Sequence, residues 1–274
     1  MQPAFVVLTD FSSAAERAVR YATQLAQQVR GRLVLLNVYQ DPLLEPEAAM
    51  VTIPLVLQSR RQTLADLAER ARQLALPAEA ELSVETLADT VADVVRRHQP
   101  QLLVLGRAKD ETLLDRLVRH QAAPILQAAR YPLLLVPETW PADAAPRRIV
   151  VAADEHGFWL TPASLALREL LAGWQASTTV VHVGPAHGPS RATVGFEAVR
   201  RCGLFGSLDD NSLYEVREET PAEGVVHAAR ELQADLVVVL ARPHSFLGGL
   251  FHRSVTAQVL RNSPVPVLVL PTMH

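Results

Sequence analysis

The chain repeats itself, and that restricts its folds more than any single motif does. QLLVLGR at 101–107 returns as DLVVVLAR at 235–242, and YPLLLVP at 131–137 returns as VPVLVLP at 265–271, both at an offset of 134. Between them Thr86 falls on Thr220, Val91 on Val225 and Arg119 on Arg253 without a gap. The front halves drift: FVVLTD ending at Asp10 matches IVVAAD ending at Asp154 (offset 144), and LLNV ending at Val38 matches VVHV ending at Val183 (offset 145). About ten residues are therefore missing from the second copy between Val183 and Val216. A 274-residue chain built this way is two domains of similar size.

Each copy alternates short apolar runs with longer helical patterns. In the first copy the runs are 4–9, 32–39, 80–86, 101–106 and 132–136, rich in Val and Leu and too short for buried helices, hence strands covered on both faces. Ser13-x-x-Glu16 reads as a capping box opening a helix to about Arg30, stopped by Gly31. Leu57 to about Leu76 is a second helix ended by Pro77, and two more are expected at 88–98 and 112–129. The second copy reuses the devices, with Thr161 and Pro162 as N-cap and first-turn proline and Thr220, Pro221 and Glu223 as a capping box with that proline. Strands alternating with helices imply a parallel sheet with right-handed crossovers and helices on both faces. The expected fold is α/β: two doubly wound parallel five-stranded sheets in tandem, residues 1–138 and 148–274, joined by a proline-rich linker at 139–147.

Composition removes several classes of function. A single cysteine, Cys202, excludes a disulfide-stapled scaffold or a thiolate zinc cage and fits a reducing cytoplasm. The net charge of −3 divides as −1 for residues 1–140 and −2 for 141–274, so neither half is a basic surface for nucleic acid. No run approaches the length of a membrane helix, and the N-terminus enters a strand-like AFVVL without a signal segment. His182 and His187 span a Gly-Pro loop instead of one helix face, and no Gly-x-Ser-x-Gly elbow accompanies His244, Ser245 and His252, so no metal or catalytic residue is assigned. Trp140, Trp159 and Trp174 read as core or docking aromatics, and the apolar segment 41–56 as a lid, a partner surface or a covering loop.

Doubly wound sheets bind ligands beyond the carboxyl ends of their strands, where strand order reverses. That directs attention to Asp10, Val38 and Gly106, and to Asp154, Val183 and Leu240. A strand ending in Asp before a Ser-rich helix start (VVLTDFSSAAERAVRYA), a strand ending Asn-Val, and DLVVVLAR with SVTAQVLRNSPVPVLVL closing the chain together resemble the universal stress protein family in tandem form. The resemblance covers essentially the whole chain. It implies small doubly wound cytoplasmic domains that pair through their last strands and divide into ATP-binding and non-binding branches.

The ATP-binding branch carries Gly, two residues, Gly, nine residues, Gly, then Ser or Thr after the fourth strand, because glycines let backbone N–H groups approach a polyphosphate. Here those positions hold Gly106, Lys109 and Arg119 with His120 in the first copy, and Leu240, Pro243 and Arg253 with Ser254 and Val255 in the second. Side chains in the cradle, and a proline without an N–H, argue against the family's usual mode. Lys109 and Arg119, or Arg242 and Arg253, would be the side-chain alternative for holding phosphate. By the resemblance Asp10 and Asp154 are adenine-side carboxylates, and Val38 and Val183 adenine-side backbone positions. Leu105, Gly106, Val239, Arg242, Ser254 and Val255 complete the candidate cofactor site, with ATP or AMP as the ligand. The competing reading makes Asp10 a turn or cap residue and Ser254 a small helix residue.

The runs LLLV at 133–136 and VLVL at 267–270 are apolar edges that need cover, and the simplest cover is each other about a pseudo-two-fold axis. Two functions stand side by side: a non-enzymatic regulatory or binding module in stress response with a degenerate nucleotide pocket and an unknown protein partner, or an adenine-nucleotide-binding protein with slow ATPase activity. A further homodimer of chains is left open.

Overall fold

The computed structural model describes residues 2–39, 53–110, 122, 125, 130–141, 144–185, 187, 189–218, 220–242 and 254–273. The first half runs β1 (Ala4–Leu8), α1 (Ser13–Gln28), β2 (Arg32–Val38), α2 (Ile53–Arg72), β3 (Ala78–Ser83), α3 (Leu87–His98), β4 (Leu102–Arg107) and β5 (Leu133–Pro137). The second half runs β6 (Arg148–Ala152), α4 (Pro162–Leu165), α5 (Arg168–Gly173), β7 (Ser177–Gly184), α6 (Ala192–Cys202), a short 3-10 turn (Asp210–Ser212), β8 (Leu213–Arg217), α7 (Pro221–Glu231), β9 (Leu236–Ala241), α8 (Val255–Asn262) and β10 (Val267–Pro271). The α/β architecture expected from the sequence is present. Each half contributes five parallel strands, and all ten form one sheet in the order β3-β2-β1-β4-β5-β10-β9-β6-β7-β8.

The junction is antiparallel. Val267 faces Leu135, Leu268 faces Leu134 and Val269 faces Leu133. Leu134 and Leu268 are equivalent at the repeat offset of 134, so the local two-fold axis passes between them. Every one of these six side chains is buried. Alternation along the strands then assigns them to two cores that cross the junction. Leu134, Val136, Leu268 and Leu270 pack on the face covered by α1, α2, α5 and α6. Leu133, Leu135, Val267 and Val269 pack on the face covered by α3, α7 and α8.

A second device crosses the same junction. Arg107, at the end of β4, donates from Nη1 to the carbonyl of Leu260 at 3.1 Å and to that of Arg261, and from Nη2 to the carbonyl of Ser263. These are carbonyls at the end of α8, which the helix itself leaves without donors. Burial pushes the Arg107 pKa down to about 10, so the guanidinium is still charged at neutral pH and faces the negative end of the helix dipole.

Local signals differ from expectation in instructive ways. Ser12, not Ser13, caps α1 by accepting from Ala15 N at 3.2 Å, and the Glu16 side chain pairs with Arg70 at 2.8 Å instead of closing a capping box. Ser13 instead donates to Glu138 at 2.5 Å. After α1 it is Arg30 that takes the left-handed conformation (φ 50°). Gly31 is demanded by contact, since a Cβ there would stand 2.8 Å from Pro3 O. Helix α2 begins and ends about four residues earlier than read, and takes in residues 53–56 of the 41–56 segment; its residues 41–52 lie outside the described residues, as does most of the helix read at 112–129. Thr161 caps α4 through Ser164 N at 3.2 Å, whereas Thr220 makes no capping bond, although Pro221 opens α7 as expected. The shortfall in the second copy is taken up by α6, with 11 residues where α2 has 20.

The outer strands β3 and β8 carry charge. On β3, Glu79 pairs with Arg32 at 2.9 Å, and Glu81 with Arg97 at 2.7 Å and His98 at 2.5 Å. The Arg97 hydrogen bond, ahead of the opposing effect of burial, holds the Glu81 carboxyl below the usual carboxylate range. Charged side chains on an edge discourage pairing with another sheet.

Two substitutions test the junction. Leu134→Ala is expected to lower the unfolding free energy by about 2–5 kcal/mol, the range for emptying a buried leucine site. Arg107→Met, which orphans buried carbonyls while keeping the side chain's bulk, is expected to cost about 2–4 kcal/mol. Urea denaturation with a two-state fit measures both, and a loss below about 0.5 kcal/mol for either would contradict the assigned role.

Candidate functional site

The sheet order places β1 between β2 and β4, and β6 between β7 and β9, so strand order reverses once in each half. In the second half a cavity of ≈ 810 Å³ opens at the carboxyl ends of β6, β7 and β9. It is lined by Asp154, Val183, Val239, Arg242, Ser254 and Val255, which brings together the six candidates of that half. The closeness has a backbone cause: parallel strands in register end on one side, and the following helices start there.

Asp154 is engaged on both oxygens. Arg242 donates to it from Nη2 to Oδ1 at 2.8 Å and from Nε to Oδ2 at 3.1 Å. The backbone N of His156 also donates to Oδ1 at 2.9 Å, a turn closed by the aspartate's own side chain. Arg242 reaches two carbonyls of the same loop as well, Gly157 O and His156 O, each at 3.3 Å. The residue that resemblance places toward adenine is thus the anchor of the 154–157 loop. Ser254 is the N-cap of α8, accepting from Ala257 N at 3.1 Å, and this explains its position without a ligand. Val239 is 4% exposed, leaving its side chain in the core.

The first-half candidates have equally local roles. Asp10 Oδ1 accepts from Ser12 N at 3.0 Å, the same side-chain turn as at Asp154, while Ser12 supplies the helix cap. Leu105 is buried in the core, and Val38 is half-buried at the end of β2. At Gly106 a Cβ would stand 2.2 Å from Ala14 O and 2.6 Å from Ala15 N. That glycine is required because the first turn of α1 lies directly on β4, irrespective of phosphate. Arg119, His120, Pro243, His244, Ser245, His252 and Arg253 lie outside the described residues.

Spacing along the chain set His182 and His187 aside as a metal pair and gave no sign of His156. His156, His182 and His187 all line it. His182 is 5% exposed, and its Nδ1 donates to Ala153 O at 3.1 Å. The equivalent side chain in the first half is Asn37, whose Nδ2 donates to Thr9 O at 2.7 Å. The clue in the sequence was a histidine inside the apolar run VVHV where the other copy has asparagine. Among the described residues Glu79, Glu81 and His98 lie close enough to hold a metal ion together, yet their partners Arg32 and Arg97 make them an ion-pair network on the sheet edge. Of the tryptophans, Trp174 is buried, Trp140 packs against both cores and Trp159 is 71% exposed.

With the two halves, their strand order and the cavity in place, comparison with known proteins is decisive for family. The universal stress protein family matches over residues 3–137 and again over 146–271. The chain belongs to that family. No curated protein matches it. Among solved structures, a universal stress protein from Archaeoglobus fulgidus is similar over 97% of this chain and 97% of its own, with TM-score 0.67 and 15% identity. A putative universal stress protein from Pseudomonas aeruginosa is similar over 99% of this chain and 94% of its own, with TM-score 0.61 and 17% identity. At such identities these likenesses show the fold of this tandem universal stress protein. A family member from Arabidopsis thaliana solved with AMP bound covers 49% of this chain and 91% of its own, with 18% identity and TM-score 0.32, too slight a likeness to place a ligand here. Among the described residues no helix is long and apolar enough to cross a membrane.

The packing role of Gly106 is checked by Gly106→Ala. A methyl group there must displace backbone, so a loss of more than about 2 kcal/mol is expected, unchanged by added nucleotide. Stability within 0.5 kcal/mol, by the scale of neutral surface changes, would return the glycine to a ligand role.

Proposed function

We propose that this tandem universal stress protein is a non-enzymatic binding module of the stress response in the cytoplasm. Its ligand site is the second-half cavity, and its two halves, paired through β5 and β10, stand in for two subunits. The pairing of Asp154 with Arg242 carries the reading. A carboxylate held by a two-pronged guanidinium and a backbone N–H is committed to its loop, and it offers little to an incoming ligand. Glu155, the other carboxylate of the wall, is paired with Arg191 at 3.0 Å. Both are thereby withdrawn from acid–base work. The glycine positions filled by Leu240 and Pro243 point the same way, because a side chain bars close approach of a polyphosphate to the backbone and proline has no N–H to offer it.

The second reading, an ATP- or AMP-binding protein with slow ATPase activity, is favoured by the cavity's size and by its place at the switch point. Denaturing freshly purified protein and identifying any released nucleotide by chromatography and mass, then titrating ATP and AMP by calorimetry, separates the two. The degenerate-pocket reading expects no retained nucleotide, no phosphate release from ATP, and weak binding with Kd of about 0.1–1 mM. That binding is expected to change in Asp154→Ala and to be untouched in Asp10→Ala. Micromolar binding with measurable phosphate release overturns it in favour of the ATPase, and sensitivity to Asp10→Ala alone moves the site to the first half.

A further inference from the structure

Among the described residues, the carboxylates of the cavity wall are paired with arginines, and three histidines stand beside them. The two carboxylates that line the cavity each have an arginine, Asp154 with Arg242 at 2.8 Å and Glu155 with Arg191 at 3.0 Å, and on the adjoining β8 Glu215 pairs with Arg217 at 2.8 Å. Glu215 and Arg217 also tie the loop that carries His187, through Ser190 and through Pro185 O. These three pairs cancel. What is left facing the cavity from the loop after β6, from β7 and from the loop after β7 is one imidazole each, His156, His182 and His187. His156 Nδ1 lies 3.7 Å from Asp154 Oδ1, a carboxylate already shared with Arg242.

His182 is the informative member. A carbonyl can only accept, so the contact with Ala153 O puts a proton on Nδ1. In the neutral ring Nε2 is then a bare acceptor, and it has no partner among the described residues. Adding a proton turns Nε2 into a second donor, with which a negative group in the cavity would make a charge-assisted hydrogen bond. The helix starts at Pro221 and Ser254, which also line the cavity, contribute positive dipole ends in the same place.

We propose that the second-half cavity binds a small organic anion through His156, His182 and His187, and that the anion favours their protonated form, so that binding takes up protons and tightens as the pH falls. Imidazoles here replace the backbone phosphate cradle that Leu240 and Pro243 have removed. The proposal rests on the second-half cavity being the ligand site, and it adds the ligand's charge and its pH dependence.

The test uses the full chain and 3′,5′-cyclic AMP, whose phosphodiester keeps one charge across the range, with adenosine as the uncharged control. Calorimetry at pH 8 and pH 6, in two buffers of different ionisation enthalpy, reads affinity and proton uptake together. The expected result is a roughly tenfold tightening for cyclic AMP at the lower pH, the scale of one charge-assisted hydrogen bond, with buffer-dependent heat and no change for adenosine. His182→Asn, the residue the first half already uses at this place, is expected to remove most of the pH dependence. The solvent-facing double substitution His156→Gln with His187→Gln is expected to remove the remainder, and it keeps the question answerable if His182→Asn does not fold. Binding of cyclic AMP that is equal at both pH values, or an equal pH effect on adenosine, overturns the histidine assignment while leaving the cavity as the site. No binding of either compound at either pH overturns the choice of site, and this proposal with it.

Discussion

The antiparallel pairing of β5 with β10 is the contact on which the rest of the molecule depends. Taken apart, each half would expose an apolar strand, Leu133–Pro137 or Val267–Pro271, with a row of unpaired backbone groups. Joined, the strands set equivalent residues Leu134 and Leu268 opposite one another. Both layers of core then run without interruption from one half to the other. The junction also brings Arg107 within reach of the last carbonyls of α8, so a side chain of one half completes a helix of the other. One sheet pairing thus produces the shared cores and the shared helix cap.

The halves keep the scaffold and diverge at the strand ends. In the first, α1 starts three residues after Asp10 and its first turn sits on Gly106, leaving no room for a side chain. In the second, α4 starts eight residues after Asp154, and the intervening loop is held by Arg242 and by a bond from Met273 N to Trp159 O at 2.7 Å. The offset moves only from 144 to 145 between Asp154 and Val183, because the longer loop is balanced by shorter helices, and the fall to 134 records the residues missing after β7. A leucine at 240 is accommodated where its counterpart must be glycine, and a histidine at 182 where its counterpart is asparagine. The two halves share a strand order, and differences in loop length give their strand ends different surroundings.

Much of this is legible in the sequence. The inner strands announced themselves as Val- and Leu-rich runs of five to eight residues, because a strand buried on both faces has no polar alternation to obscure it, whereas the run expected at 80–86 belongs to the outer strand β3, which is not covered on both faces. Candidate site residues followed from strand ends, and the second-half group does share one cavity. What pattern reading missed was partnership. Ser13-x-x-Glu16 fits a capping box, yet Ser12 caps the helix because Arg70, 54 residues away, takes the glutamate. Asp154 looked like a ligand residue, and only the fold brings Arg242 against it from 88 residues away.

The sequence by itself determined the duplication, the alternation of strand and helix and the ends of the strands where a ligand site belongs, since these depend on local periodicity and on an offset that can be counted. Tertiary structure decided how the two sheets meet, which carboxylates are already paired, why residue 106 must be glycine, and that three histidines scattered over 32 positions, His156 to His187, converge on one cavity. Those outcomes depend on distances between residues far apart in the chain, and no spacing along a sequence contains them.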